Sequence, residues 1–174
     1  MARIEYADEN RDPEVAALAR RIRAERAGVM HNLYRMLLQS PPVAEGWLAF
    51  LTAIRQKCQL PGNYRELAIL RIALLNRAQY EYEGHVPYAL RAGVRQAQID
   101  ALENWQQSPE YDPVERIVLA YTESMTRQIQ VPDDVFAKVK EAFPERQMVE
   151  LTATIGAYNC VSRFLEAIRI DSDV

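Results

Sequence analysis

An all-α fold is predicted by three features of the 174-residue sequence. No stretch of four to eight residues shows the strict alternation of a half-buried strand, and no Asn-Gly or Asp-Gly pair marks a hairpin. Apolar residues recur instead at intervals of three and four, the period of a helix with one buried face. Prolines stand between these runs, where they suit the first turn of a helix rather than its interior.

Taken in order, Pro13 opens a first helix, and Asn32 to Gln39 forms a short segment that Pro41-Pro42 separates from the next. Trp47, Leu48, Leu51, Ile54 and Cys58 follow helical spacing up to the break at Pro61-Gly62. Leu67, Leu70 and Leu74, with Ile72 and Leu75 beside them, predict another amphipathic helix. A helix from about Tyr80 closes at Gly93, and Val94 to Glu103 gives a short one. Asp112-Pro113 starts a helix that reaches about Gln128, and Pro132-Asp133-Asp134 opens the next, with carboxylates where the helix dipole favours them. Pro144 precedes a final helix from Glu145 to about Ile170. Its midpoint holds Thr152, Thr154, Gly156 and Asn159, small residues that permit another helix to approach. An interior glycine costs about 1 kcal/mol relative to alanine, so Gly156 is expected to serve packing or a nearby site. The expected architecture is eight or nine helices in one bundle-like domain spanning residues 1–174.

Composition narrows the function classes. A hydrophobic fraction of 49% with 26% charged residues is ordinary for a globular protein. The formal charge of -3 offers no footprint for phosphate backbones, which argues against nucleic-acid binding. The longest apolar run, Leu67 to Leu75, is interrupted by Arg71 and falls far short of the roughly 20 residues that span a bilayer. The N-terminal segment is polar and acidic, so a cytoplasmic location is expected. Cys58 and Cys160 lie in apolar helical patterns, with neither CxxC nor metal-ligand spacing. Both are expected to be buried small hydrophobes.

The segment RELAILRIALLNRAQYEYEGHVPYALRAG, from Arg65 to Gly93, holds the constellation with chemical potential. Glu81 and His85 are four residues apart, so on a helix they share a face. A carboxylate there can orient an imidazole or raise its pKa. Pro87 and Gly84 predict a kink beside His85, or else Pro87 begins a new helix. An isolated ExxxH is more often an ordinary surface ion pair worth about 0.3–0.5 kcal/mol. The neighbours Tyr80, Tyr82, Val86 and Tyr88 tilt the reading towards a partly buried, functional pair.

RELAILRIALL, then YEYEGHVPYALRAGV and QIDAL, resembles the carboxymuconolactone decarboxylase superfamily, which includes the alkylhydroperoxidase-D-like proteins. The closing VELTATIGAYNCVSRFLEAI is similar to its cysteine-free branch, and the resemblance covers about residues 32–170. It implies an alkylhydroperoxidase-D-like helical bundle. The peroxidase branch places a Glu, a CxxC pair and then a His four residues after the second Cys. Here the cysteine positions fall on Ala78 and Glu81, and a further His of that branch falls on Tyr80. Thiol peroxidase activity is therefore not expected.

The resemblance implies acid-base chemistry, decarboxylation or isomerisation, on a small organic acid or lactone. Glu66, Glu81 and His85 are its candidate catalytic residues, with His85 moving the proton and a carboxylate holding the imidazole. Tyr80, Tyr82 and Arg71 are candidate substrate-binding residues, Arg71 as a bidentate carboxylate receptor, a role Arg91 shares as a candidate. No cofactor is expected. A metal held by Glu66, Glu81 and His85 is disfavoured, since one His stands without a further ligand pattern. The alternative class is a noncatalytic binder or structural oligomer that kept the fold without the redox centre. A homotrimer or homohexamer is expected, the 32–38 segment and the Trp47 helix offering more apolar surface than a small bundle hides.

Overall fold

The computed structural model describes residues 1–173. Nine α-helices and one 3-10 turn make up its regular structure, with no strand among the described residues. They are α1 (Pro13–Glu25), α2 (Asn32–Leu37), α3 (Pro41–Gln56), α4 (Gly62–Asn76), α5 (Gln79–Arg91), α6 (Gln96–Ala101), α7 (Pro113–Gln128), α8 (Asp133–Ala142) and α9 (Glu145–Ile168). The 3-10 turn Leu102–Asn104 follows α6 directly. The prolines act as the sequence predicts at three helix starts, with Pro13, Pro41 and Pro113 in first turns.

The chain divides into two compact units, Met1–Lys57 with the residues from Leu165 on, and Cys58–Phe164. In the first, α1 turns Val15, Leu18, Ala19 and Ile22 inward, the i, i+3, i+4, i+7 stripe of an amphipathic helix. α3 answers with Ala44, Leu48, Leu51 and Ile54. A buried polar knot lies beside them: the Arg26 guanidinium donates to the Tyr34 hydroxyl and to Thr52 Oγ1, and Thr52 in turn donates to Glu25. Such a group survives burial because each polar atom named has a partner. The 32–38 segment hides its apolar residues Tyr34, Met36, Leu37 and Leu38, contrary to the expectation that it presents them outward. α3 does leave Val43 and Phe50 half exposed.

The second unit is organised around α4. Its residues from Glu66 to Ala73 are all buried, in an unbroken run. The predicted amphipathic helix is therefore buried on every face, which explains its weak apolar periodicity. α5 and α7 pack against it. Leu67 and Leu70 of α4 join Ala89, Val94, Ile99, Leu102, Trp105, Tyr111 and Leu119 in one apolar cluster. α7 is pinned at its start by a capping box: Asp112 accepts from the Glu115 N–H at 2.8 Å, and Glu115 accepts from the Asp112 N–H at 2.9 Å. Gln98 also donates to Glu115, tying α6 to that cap.

α5 runs unbroken through Pro87, so the proline starts no new element. Pro87 faces solvent, where water can serve the Glu83 carbonyl that the missing N–H would have engaged. α5 closes as expected at Gly93, whose φ of 94° lets the Val94 N–H reach the Ala89 carbonyl. Two other expectations fail. A Cβ on Gly156 would meet nothing within 4 Å, so no helix approaches closely there. Cys160 is exposed and Cys58 half-buried, so neither is a core hydrophobe.

α4 ends on Arg77, a non-glycine residue at φ 55°, in the left-handed region that glycine occupies at low cost. Arg77→Gly should therefore stabilise the fold by about 1 kcal/mol, observed as a rise in Tm of roughly 2–4 °C. A lowered Tm would show that the Arg77 side chain contributes more than its backbone costs.

Candidate functional site

Two helices of the second unit carry the site, joined by Arg77 and Ala78 alone. This tight connection returns the chain along α4 and brings residues of successive helices together. Glu66 from α4 and His85 from α5 meet: His85 Nδ1 lies 2.7 Å from Glu66 Oε2. Glu66 is 3% exposed, Glu81 2% and His85 7%. Three ionisable groups on one helix pair are thus buried, and Glu66 and His85 are in direct hydrogen-bonding contact.

The electrostatics follow from that burial. Desolvation pushes the Glu66 carboxyl up, but the His85 hydrogen bond and charge, with Arg65 beside it, outweigh the penalty and hold it below the ordinary carboxylate range. Arg65 Nε reaches Glu66 Oε1 at 3.2 Å, so the two carboxylate oxygens have different partners. One oxygen is left to fix the imidazole. A His whose Nδ1–H is given to a carboxylate carries its lone pair on Nε2, the nitrogen then available for proton transfer.

The α5 surface has two buried stripes with separate tasks. Glu81 and His85 lie on one, with Tyr88 continuing it at the half-exposed edge. Tyr82, Val86 and Ala89 form the other and pack into the apolar cluster. Tyr82 is thereby a packing residue, its phenol raised by burial and by Asp100, rather than one brought to the imidazole. Tyr80 is half-buried, one residue into α5.

Arg71 is not brought to the pair either. Its guanidinium is tied to the Leu102 and Glu103 carbonyls and to Glu123 at 2.9 Å, and it lines a separate cavity. Arg91 is over the Tyr88 ring, 4.5 Å from its centroid. Tyr88 in turn lies 5.6 Å from the His85 ring. One member escaped the sequence reading: Tyr158 of α9, 1% exposed, meets His85 edge-on with 5.0 Å between ring centroids. No spacing rule links residues so far apart in sequence, and the only signal was its place in the closing segment YNC. Among the described residues, no group of three or more His, Cys, Asp and Glu is arranged to hold a metal ion.

The profile of the carboxymuconolactone decarboxylase family matches residues 41–124, a span that includes both Glu66 and His85. The uncharacterized protein YdfG of Bacillus subtilis (strain 168) is 29% identical over 101 residues, 57% of this chain and 69% of the relative. A crystal structure from Agrobacterium tumefaciens, of a protein of unknown function whose suggested role is that of the antioxidant defence protein AhpD, superposes with a TM-score of 0.73 at 25% identity, over 78% of this chain and 94% of its own. The alkylhydroperoxidase AhpD core of a peroxidase-related protein from Ralstonia eutropha JMP134 gives 0.85 at 16% identity, over 99% and 92%. The debrominase Bmp8, in complex with 2,3,4-tribromopyrrole, gives 0.82 at 16% identity, over 100% and 95%. Residues 41–124 thus match the carboxymuconolactone decarboxylase family, and the fold is that of the AhpD-like proteins.

The depressed Glu66 pKa makes a stability prediction with a definite sign. A carboxyl held below its ordinary value contributes stability above that value and loses it as pH falls through the folded-state pKa. Wild-type stability should therefore drop below pH about 4.5 more steeply than that of Glu66→Gln, measured by urea denaturation across the acid range. Parallel curves would show that the pair is not formed in solution.

Proposed function

We propose that the protein is an acid-base enzyme acting on a small organic acid or lactone, with His85 as its proton-transfer group. The observation that carries this reading is the buried 2.7 Å contact between His85 Nδ1 and Glu66. It gives the imidazole a defined orientation and tautomer in a place shielded from water. His85 Nε2 takes a proton from a carbon next to a carbonyl and returns it to the product carbon, while Glu66 stabilises the imidazolium formed between the two steps. Tyr158 walls the imidazole from α9.

The family match and the fold leave the reaction open, since one fold hosts many chemistries. The relatives named for antioxidant defence and debromination do not transfer their activities here. Where the peroxidase pattern uses thiols, Ala78 and Glu81 offer none, and replacing Cys58 and Cys160 together is expected to leave turnover unchanged. A second reading, a binder that retains the fold, is favoured by the near-complete burial of the three ionisable groups.

Turnover of a panel of small lactones and carboxylic acids separates the two. The enzyme reading predicts a substrate whose turnover falls about 10²- to 10⁴-fold in His85→Ala and by a smaller factor in Glu66→Gln. Turnover indifferent to His85→Ala contradicts it. On the same footing we propose assembly into a trimer or hexamer, supported by Val43 and Phe50, each 49% exposed on one side of α3. Light scattering that finds a monomer at micromolar concentration contradicts this.

A further inference from the structure

The second unit contains a feature that the His85 chemistry does not use. An open-sided cavity of about 720 Å³ lies at the C-terminal end of α4, lined by residues of α4, the 3-10 turn and α7. Its walls are mostly polar, and neither Glu66, Glu81, His85 nor Tyr158 lines it. We propose that this cavity is a binding site for a small organic carboxylate.

Three arginines, Arg71, Arg77 and Arg127, are among the residues that line the cavity. The carboxylates near them are Glu103, on the wall, and Glu123, which bridges Arg71 at 2.9 Å and Arg127 at 3.0 Å. One positive charge is in excess. Arg77 makes no ion pair among the described residues and is exposed, so it is the cation available to an incoming anion. Arg71 is the fixed member, its side chain 5% exposed and its Nε buried without a hydrogen-bond partner. A guanidinium kept in such a place at the cost of an unmatched donor is placed for its charge rather than for packing.

Backbone strain points the same way. Arg77 occupies a left-handed helix end where glycine would be favoured, and it is one of the residues that line the cavity. The apolar part of the wall, Leu74 and Leu75, suits the hydrocarbon body of an organic acid better than a bare inorganic anion. Asn76 and Thr126, also on the wall, hold Asn159 through contacts of 3.0 and 2.9 Å. Asn159 adjoins Tyr158, the ring set against His85. An occupant of the cavity is thus linked to the imidazole through a wall residue, Asn159 and Tyr158, although the site does not depend on His85 being catalytic.

Calorimetric titration with benzoate and, separately, inorganic phosphate at low ionic strength tests the assignment on the full chain. Benzoate should bind saturably and more tightly than phosphate. Arg77→Gly and Arg127→Gln should each weaken it at least about tenfold, and His85→Ala should leave it unchanged. Arg77→Gly relieves a strained position, so its melting curve confirms that it folds. Absence of saturable benzoate binding overturns the proposal. So does affinity that ignores both arginine variants, affinity lost in His85→Ala, or a preference for phosphate. None of these results bears on turnover at His85, so the two readings fail separately.

Discussion

α4 carries two charges inside an otherwise apolar, all-round buried run, and this constraint orders the second unit. A buried ion without compensation costs several kcal/mol, far more than the fold's margin allows. Glu66 and Arg71, five positions apart on the same helix, must therefore each find partners from surrounding elements. Glu66 is met by His85 of α5 and by Arg65, whereas Arg71 is met by Glu123 of α7 and two carbonyls of the 3-10 turn. One helix thus fixes two polar centres facing different neighbours.

Neither centre is a strong source of stability. Replacing a buried pair by well-packed apolar residues is often neutral or favourable, whereas removing one partner costs about 3–5 kcal/mol. Their retention in α4 is easier to understand as chemistry than as packing. At the first centre the result is an oriented imidazole, and at the second a positively charged cavity rim. Glu81, 2% exposed on the same helix as His85, adds a second buried carboxyl group near the first centre.

Much of the fold was legible because its boundaries are set by local signals. Pro13, Pro113 and Gly93 mark helix ends through their own backbone preferences, and the structure places ends where they stand. The burial of α4 was misjudged, because an all-round apolar helix and an amphipathic one differ in what surrounds them. The shared buried face of Glu81 and His85 follows from a four-residue spacing, but the Glu66 contact spans two helices and is visible in sequence only through family resemblance. Arg71 and Tyr82 are not brought to the imidazole, for a related reason. Proximity in sequence to His85 does not say which side of the helix a residue faces, and Tyr82 faces the apolar cluster while Arg71 faces α7. Tyr158 reaches the imidazole from α9, a contact that no local pattern encodes.

The account stands on the Nδ1 contact between His85 and Glu66. Two-bond ¹H–¹⁵N correlation spectra of the imidazole, recorded as pH is varied, test it most directly. A donated Nδ1–H predicts that Nδ1 keeps its proton throughout and that the Nε2 resonance alone titrates. An imidazole that loses its proton from Nδ1, or averages both tautomers as a solvent-exposed ring does, would contradict it.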